Sequence, residues 1–451
     1  MSPRTNTRRS FLKKTAGAAV AVPTIATVPL MGEDAPSNKA TIGFVGTGNN
    51  GTNWMGRFLG DKRMRVVAVC DVNKEGPGYW GGSVRGREPA VRKVNGHYKD
   101  KGCKGYEDFR DVIGRKDIDS IYIGTPDHWH ALVAVYAARA KKNIYGQKPL
   151  SLTIAEGRAM VKAVEANKVV WQTGSQQRSD RNFRRACELV RNGRIGKVHT
   201  VLCGLPGGIP DYGRTANQTK TVPVPDGFNF NMWLGPAPEA EFCPARVGVN
   251  FRWILDYSGG QLTDWGGHHP DCAQWGLGTE RSGPVAIKNQ KATWAKHPVY
   301  NTATEYYFEC HYASGVKMII ANRDHRPADE REVRWRGGVT FIGEDGWVWA
   351  DRGRHDASSK EILKEEIGPD ETHLYQSDNH VKNFIDCMFS RKETVAPIEV
   401  AHRSISLAHL GNISMRLGRD LKWDPAREQI AGDKSATELL SRAYRKPWKL
   451  G

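Results

Sequence analysis

The sequence predicts an α/β fold with a parallel sheet in its N-terminal half and a mostly antiparallel sheet in its C-terminal half. Strand-like and helix-like segments alternate between Lys39 and about Asn167, which is the pattern of a parallel sheet with helices on both faces. Between residues 286 and 350, strand-like segments are instead separated by short turns, which is typical of antiparallel pairing. The 451 residues are enough for two domains, each with a substantial core.

The predicted elements follow one another in a regular order. In the N-terminal half, strands are expected at residues 41–45, 66–70, 120–124 and 143–145, and helices after Gly51 and at 107–114, 130–141 and 153–166. Residues 76–102 are rich in Gly, Arg and Lys and are predicted to be a surface excursion. In the C-terminal half, strands are expected at 198–203, 286–294, 305–312, 316–321, 332–341 and 346–350, and helices at 182–192, 378–389 and 400–417. The stretch 205–249 is too long for an ordinary connection, so it is interpreted as a functional or covering element.

A glycine-rich turn follows the first predicted strand directly, with the sequence Gly46-Thr47-Gly48-Asn49-Asn50-Gly51. Gly46 permits the tight turn, Gly48 allows the backbone to approach a pyrophosphate, and Gly51 allows the next helix to lie close to the sheet. The first amides of that helix then face the phosphates. The turn therefore predicts a dinucleotide-binding site.

The acidic residue after the second predicted strand supports this prediction. Asp71 lies 20 positions after Gly51, where a carboxylate accepts hydrogen bonds from the adenosine ribose hydroxyls. The same carboxylate repels a 2′-phosphate. The sequence therefore predicts NAD as the cofactor in preference to NADP.

Polar residues also follow the next two predicted strands. These segments are Thr125-Pro126-Asp127-His128-Trp129-His130 and Gly146-Gln147-Lys148-Pro149. In an open parallel sheet, ligands bind at this edge. Lys148 can stabilise a substrate alkoxide as hydride leaves, although a lysine in an exposed salt bridge has the same sequence signature. Pro126 and Asp127 also suit a helix start without any ligand.

A second candidate site lies at residues 259–271. Asp264 and His268 are four residues apart, so on a helix they share a face, and the carboxylate can orient the imidazole as a general base. The adjacent histidines His268 and His269, with acids nearby, are also compatible with a metal. No further ligands stand at a clear spacing, so no metal site is predicted.

Aromatic and polar side chains near these motifs suit a pyranose ring, which is apolar on its C–H faces and polar at its rim. The residues expected to contact such a substrate are Trp129, Arg178, Tyr257 and His269. Some aromatic residues in this part of the sequence are equally compatible with a core.

Taken together and in order, these motifs resemble the glucose-fructose oxidoreductase and inositol dehydrogenase (Gfo/Idh/MocA) family over nearly all of residues 40–425. The resemblance implies a Rossmann domain, a second α+β domain with a large open sheet that is often used for oligomer contacts, and an active site between them. It implies Lys148, Asp264 and His268 as the catalytic set. It also implies cofactor binding by Thr125, Pro126, His130 and Gln147.

The sequence departs from the family at Gln147, where glutamate usually precedes the lysine and lies near the nicotinamide ribose. Glutamine retains a hydrogen bond there but loses the charge, which bears on cofactor exchange. The expected domains are a twin-arginine signal peptide (1–35), a NAD-binding Rossmann domain (36–167), a substrate and catalytic domain (168–425) and a C-terminal tail (426–451).

The N-terminus has the layout of a twin-arginine export signal. Arg8-Arg9 is followed by Ser10-Phe11-Leu12 and by a run at 15–30 with too few strongly apolar residues for a stable membrane span. A cytosolic amphipathic tail is the alternative. Export predicts a periplasmic protein, and because this route carries folded proteins, NAD is expected to travel inside the enzyme, tightly bound and recycled in place.

Charge and cysteine content argue against a nucleic-acid-binding protein, a zinc protein and a disulfide-rich protein. The net charge of +17 is dispersed, without a basic stripe and interleaved aromatics, so no nucleic-acid partner is predicted, whereas an acidic or sulfated sugar remains compatible. The eight cysteines contain no CxxC pair, which indicates neither zinc nor a disulfide framework.

The leading interpretation is a periplasmic, homo-oligomeric NAD-dependent oxidoreductase that acts on a sugar, polyol or glycoside. Its expected partners are this substrate and the twin-arginine export machinery. Two alternatives stay open. One is glycoside cleavage through transient oxidation, elimination and re-reduction, and the other is a non-catalytic sugar-binding protein with a vestigial cofactor site.

Overall fold

Two sheets organise the part of the chain that the structure, a computed structural model, describes: residues 39–77, 80, 83–322 and 337–450. The predicted signal peptide and the first part of the predicted strand 332–341 lie outside these residues. One sheet is parallel and the other is mostly antiparallel, which confirms the predicted fold class.

The N-terminal half forms the parallel sheet and its helices. Its strands are β1 (Ala40–Val45), β2 (Met64–Cys70), β3 (Gly76–Pro77), β4 (Val84–Arg85), β5 (Lys104–Tyr106), β6 (Ser120–Ile123), β7 (Asn143–Gly146) and β8 (Trp171–Thr173). Its helices are α1 (Asn49–Leu59), α2 (Arg87–Tyr98), α3 (Phe109–Ile113), α4 (Asp127–Arg139) and α5 (Ile154–Asn167). Six strands pair in the order β5-β2-β1-β6-β7-β8, while β3 and β4 form a separate ribbon. The order reverses between β1 and β6, so the carboxyl ends of these neighbours flank the crevice in which ligands bind.

The first sheet has two more strands than the sequence predicts, β5 and β8, and β8 lies beyond the expected domain boundary at residue 167. The predicted surface excursion at 76–102 is wrong in part, because it contains the helix α2. Its Gly, Arg and Lys residues conceal a narrow apolar stripe, since Ala90 and Val94 are buried in the core that α2 forms with β2.

The C-terminal half forms the second sheet. Its strands are β9 (Val198–Leu205), β10 (Ala286–Trp294), β11 (Ala303–His311), β12 (Lys317–Asn322), β13 (Gly338–Gly343), β14 (Gly346–Asp351), β15 (Arg354–Ala357), β16 (Leu421–Asp424) and β17 (Gln429–Ile430). Its helices are α6 (Arg181–Arg191), α7 (Phe230–Leu234), α8 (Gly260–Gly266), α9 (His269–Leu277), α10 (Lys360–Lys364), α11 (His380–Ser390), α12 (Ile398–Leu417) and α13 (Lys434–Glu438). The nine strands follow the order β15-β14-β13-β9-β12-β11-β10-β16-β17, and only β9 and β12 pair in parallel.

Helices α6, α9 and α12 pack against the second sheet. Two helical glycines make this close packing possible, because a Cβ on Gly276 or Gly411 would lie 2.3 Å from the ring of Phe341 or Phe308, respectively. Of the helices in the described ranges, none combines the length and apolarity needed to cross a membrane. All eight cysteines are free and buried.

The two segments without a predicted fold are both ordered parts of the core. The stretch 205–249 contains α7 and two 3₁₀ turns around buried aromatic residues. The segment predicted as a C-terminal tail, 426–451, contains β17 and α13 and buries Leu440. Trp448 packs its ring 4.8 Å from the ring of Trp129 in the first domain.

Buried histidines make the stability of this fold sensitive to acid. Burial lowers the pKa of His128 to about 3 and the pKa values of His269, His380 and His409 to about 4. In the unfolded chain each imidazole titrates near about 6.5. Between these values the unfolded chain binds more protons than the folded protein, so stability is full above the unfolded pKa and is lost as the pH falls.

We expect the free energy of unfolding to fall by about 1.4 kcal/mol per pH unit for each such histidine below about pH 6.5. Urea unfolding at several pH values measures this slope. His409→Gln should make the slope shallower, because its amide can still donate to the Ser151 carbonyl but does not titrate. Equal slopes in the two proteins would contradict this account.

Candidate active site

The glycine turn connects β1 to α1 and lies against the end of β6. Gly46 has a φ of +90°, and a Cβ there would lie 2.5 Å from the Gly124 carbonyl carbon. A Cβ on Gly51 would lie 2.0 Å from the Gly46 carbonyl oxygen. Both positions therefore require glycine. Gly48 immediately precedes Asn49, the first residue of α1, whose first turn carries no acidic side chain. The amides of this turn can accordingly bind an anion.

Asp71 lies just after β2 and against the glycine turn. Its Oδ2 accepts hydrogen bonds from the Thr47 amide at 2.8 Å and the Thr47 hydroxyl at 3.1 Å, and its Oδ1 accepts one from the Asn73 amide at 2.9 Å. Burial raises the pKa of Asp71, and these hydrogen bonds oppose that rise. Asp71 lines the pocket at the carboxyl ends of β1 and β2, where adenosine binds in this type of fold.

The cleft beside this pocket presents polar atoms that suit a dinucleotide. Asn49 Oδ1, Thr125 Oγ1 and Gln147 Nε2 are buried and have no hydrogen-bond partner among the described residues. All three residues line the cleft together with Pro126 and Lys148. A buried polar atom without a partner costs about 1–3 kcal/mol, and the hydroxyl, amide and phosphate groups of NAD can satisfy such atoms. The residues present therefore fit the cofactor.

Two predicted cofactor ligands, His130 and Asn50, also make hydrogen bonds within the fold that support the site. His130 places Nδ1 2.7 Å from the Pro149 carbonyl oxygen and Nε2 2.9 Å from the Thr125 carbonyl oxygen. Both ring nitrogens are thus used to hold the two loops together. Asn50 accepts a hydrogen bond from the Tyr122 hydroxyl at 2.8 Å, which ties α1 to the sheet.

Lys148 follows β7 and forms an ion pair with the second domain. Its Nζ donates to Asp264 Oδ1 at 2.8 Å and to the Asp264 carbonyl oxygen at 2.9 Å, and Arg252 Nε donates to the same Oδ1 at 3.1 Å. Burial alone would raise the pKa of Asp264, but the charges of Lys148 and Arg252 outweigh it and hold that pKa well below its usual range. Asp264 is therefore ionised, and Lys148 is not an exposed surface lysine.

The expected helix face shared by Asp264 and His268 is not present. Helix α8 ends at Gly266, and His268 precedes α9, which begins at His269. Two consecutive glycines, Gly266 and Gly267, break the helix between the two residues. Asp264 consequently pairs with Lys148 and Arg252, and His268 Nδ1 is buried without a hydrogen-bond partner among the described residues.

The surroundings of His268 keep its imidazole in the neutral form. Burial lowers its pKa well below the usual range, and the charges of Lys148 and Arg352 lower it further, while Asp264 acts in the opposite direction. The imidazole is therefore neutral near neutral pH. A neutral imidazole beside a lysine is an arrangement that can remove a proton from an alcohol and stabilise the resulting oxyanion.

The four residues predicted to contact the substrate lie in the core, with exposed fractions of 1–5%. Arg178 forms an ion pair with Asp271 at 2.6 Å, and Trp129 donates to the Trp233 carbonyl oxygen at 3.0 Å. Tyr257 accepts a hydrogen bond from Arg246, and His269 packs against the ring of Trp265. Substrate contact by these side chains stays a prediction, and in the structure their polar or aromatic groups are used in the fold.

Other residues line the cleft that contains Lys148, including Trp54, Trp80, Phe251 and Arg252. Trp80 stacks on Tyr212 with 5.3 Å between ring centroids, although the two side chains are 59% and 42% exposed. This pair was not identified from the sequence. The signal that could have found it is a large aromatic residue in each of two segments outside the predicted core, the surface excursion 76–102 and the long stretch 205–249. Among the described residues, no cluster of three or more His, Cys, Asp or Glu side chains is arranged to hold a metal ion.

Comparison with known proteins gives a consistent assignment for both halves of the chain. Residues 40–175 match the GFO_IDH_MocA model, described as the oxidoreductase family's NAD-binding Rossmann fold. Residues 188–450 match the GFO_IDH_MocA_C2 model, described as the oxidoreductase family's C-terminal alpha/beta domain.

Individual relatives match over shorter regions. The chain is 34% identical to the myo-inositol 2-dehydrogenase of Thermotoga maritima over 98 residues, which are 22% of this chain and 29% of that protein. It is 28% identical over 265 residues to an alpha-N-acetylgalactosaminidase of Tannerella forsythia, covering 52% of each protein. The chain thus spans about half the length of these curated relatives or less.

The WlbA dehydrogenase from Bordetella pertussis, solved with NADH and UDP-GlcNAcA, shares the fold with a TM-score of 0.59 at 17% identity, covering 86% of this chain and 99% of that one.

Replacing Gly51 by alanine should lower the affinity for NADH by at least about tenfold, because the new Cβ would overlap the Gly46 carbonyl and displace the turn. Fluorescence titration with NADH measures the affinity. Gly96→Ala is the matched control, since no atom lies within 4 Å of the Cβ that it adds. Unchanged NADH affinity in Gly51→Ala would contradict the assigned role of this turn.

Proposed function

Because the chain belongs to the Gfo/Idh/MocA oxidoreductase family, we propose that it is a NAD-dependent oxidoreductase acting on carbohydrates. Hydride passes between a hydroxyl-bearing carbon of a sugar, polyol or glycoside and tightly bound NAD. The observation that carries this proposal is the buried ion pair of Lys148 and Asp264, which holds an ammonium group at the cleft.

Three side chains supply the acid–base chemistry. Lys148 donates a hydrogen bond to the substrate oxygen and stabilises the negative charge that develops there. His268, which is neutral, takes the hydroxyl proton at Nδ1. Asp264 holds the Lys148 ammonium in place. Bound NAD supplies the hydride acceptor, and Asn49, Thr125 and Gln147 would hold it in the cleft.

A sugar or polyol is the substrate class that suits the rim of the cleft. The stacked rings of Trp80 and Tyr212 offer an exposed apolar face, and Arg252 contributes a polar edge. Such a combination matches a pyranose, with apolar C–H faces and a hydroxyl rim. The relative named a myo-inositol 2-dehydrogenase supports a substrate of the same chemical class.

We further propose that the protein is exported folded by the twin-arginine route and works in the periplasm. The Arg8-Arg9 pair and the mildly apolar run behind it support this location. Because free NAD is scarce outside the cytoplasm, the cofactor must be recycled in place. A second sugar, or return of hydride to the first, would complete the cycle.

Redox-assisted glycoside cleavage is the second candidate function. Oxidation of a ring hydroxyl to a ketone acidifies the neighbouring C–H, whose proton goes to a base while the glycosidic oxygen leaves with a proton. Water then adds to the unsaturated ring, and the hydride returns to the ketone. The relative named an alpha-N-acetylgalactosaminidase, which matches over 265 residues, favours this candidate.

Denaturing the purified protein and analysing the released small molecules tests the cofactor proposal. We expect NAD or NADH at about one molecule per chain, identified by absorbance and mass. A protein that is empty and also fails to bind added NAD would eliminate both catalytic functions and favour a sugar-binding protein with a vestigial cofactor site. Glycosides that release a sugar without net NADH formation would identify the second candidate.

Lys148→Met should lower the rate of hydride transfer by about 10²–10³, because the oxyanion loses its hydrogen-bond donor. NADH formation in a single turnover with a panel of sugars and polyols gives this rate, and the bound nucleotide is quantified in the same samples. Lys101→Met, at an exposed position, makes the same charge change away from the cleft. Wild-type rates in Lys148→Met would contradict the assigned role.

A further inference from the structure

The pocket at the carboxyl ends of β1 and β2 has walls from both domains. Gly46, Asp71 and Phe109 come from the first domain, and Met232 and Trp233 come from the long stretch 205–249 of the second. The position beside Asp71 is where the adenosine half of a dinucleotide lies in a doubly wound sheet. A segment of the second domain therefore forms part of the adenosine pocket.

This covering segment, residues 226–235, is bonded to the loop that follows Asp71. The Lys74 amide donates to the Gly227 carbonyl at 2.8 Å, and the Asn229 amide donates to the Val72 carbonyl at 2.9 Å. Asn229 Nδ2 also donates to Glu107 Oε1 at 2.6 Å. The covering segment is thus joined by backbone and side-chain hydrogen bonds to the strand-end loops of the first sheet.

The C-terminal segment, residues 426–450, is also hydrogen-bonded to the covering segment, through Arg445. Arg445 Nε donates to the Gly235 carbonyl at 2.9 Å, and its Nη2 donates to the Asn231 carbonyl at 2.8 Å. Arg445 Nη1 donates to the side-chain oxygens of Asn231 and Glu239, each at 2.7 Å. The Arg445 side chain is only 13% exposed, although its carboxylate partner Glu239 is 80% exposed, and its guanidinium donates charge-assisted hydrogen bonds.

Trp129, in the wall of the pocket, contacts both the covering segment and the C-terminal segment. Trp129, which lines the pocket, donates to the Trp233 carbonyl at 3.0 Å, and Trp448 of the C-terminal segment packs on the Trp129 ring. The adenosine pocket, the covering segment and the C-terminal segment therefore form one packed unit.

From this arrangement we propose that Arg445 and Asn229 are positioning residues that hold the covering segment over the adenosine half of bound NAD and thereby slow its release. The proposal rests on the NAD binding of the proposed function and names the part of the chain that makes it tight. Met232 and Trp233 line the pocket, and movement of the covering segment away from it breaks the hydrogen bonds to Val72, Glu107 and Arg445.

Arg445→Met tests this proposal by removing the guanidinium donors and keeping an apolar stem. The purified protein is loaded with NADH and mixed with excess NAD, and the loss of bound NADH is followed by its fluorescence. We expect release at least about tenfold faster than in the wild type, because several charge-assisted hydrogen bonds are lost. Arg427→Met is the matched control, since Arg427 is 78% exposed and lies 3.9 Å from its nearest carboxylate.

A second variant distinguishes the loss of these hydrogen bonds from a general loss of stability in Arg445→Met. Asn229→Ser removes the amide that donates to Glu107 while retaining an oxygen that can accept the Met232 amide at the start of α7. It should also release NADH faster, and thermal unfolding of the nucleotide-free variants reports their stability. NADH release at the wild-type rate in a folded Asn229→Ser protein would overturn the proposal. A wild-type protein that binds no NADH would instead overturn the proposed function.

Discussion

The ion pair of Lys148 and Asp264 is the interaction on which the candidate active site depends, because it joins the two domains at the cleft. Lys148 follows a strand of the first sheet, whereas Asp264 lies on α8, which contacts β11 of the second. Both side chains are largely buried, so losing Asp264 leaves the Lys148 ammonium without its carboxylate, at a cost of about 3–5 kcal/mol, whereas losing Lys148 leaves Asp264 paired with Arg252. Gly267 permits this approach, since a Cβ there would lie 3.2 Å from the Lys148 Cβ. The same contact therefore contributes to domain packing and fixes the position of the Lys148 ammonium at the cleft.

The charges around this pair also define what His268 can do. Lys148 and Arg352 disfavour an imidazolium at this position, and the carboxylate of Asp264, the group that would favour it, is shared by Lys148 and Arg252. In the proposed reaction, the same cations stabilise a substrate oxyanion and disfavour a protonated His268. In the proposed reaction, a proton taken by His268 is held only weakly and passes on to solvent or returns to the substrate. That behaviour suits a reversible hydride transfer.

The sequence predicts those parts of the site whose positions are determined by neighbouring residues in the chain. The glycine turn, Asp71 and Lys148 each follow a strand end, and their positions come from the short-range pattern of strand, turn and helix. Arg178 is different, because its partner Asp271 lies 93 residues away and no spacing indicates the ion pair. The break in α8 also depends on tertiary packing, which decides whether two glycines continue a helix or end it. The sequence also did not predict helix α2, because only two of its residues, Ala90 and Val94, are buried, and this gives a weak apolar signal.

An enclosed nucleotide places a requirement on the substrate cleft. If NADH stays in its pocket between turnovers, the molecule that reoxidises it must enter the same cleft as the molecule that reduced it. The cleft must then accept both an alcohol and a carbonyl form of its substrates, with Lys148 donating to the oxygen in each case. An open aromatic rim such as the Trp80 and Tyr212 stack suits this requirement, because ring stacking recognises the C–H faces of a sugar and is insensitive to the oxidation state of one carbon. Under the proposed function, retention of the cofactor therefore requires a tolerant cleft, in which selectivity resides in the hydride position and not in the rim.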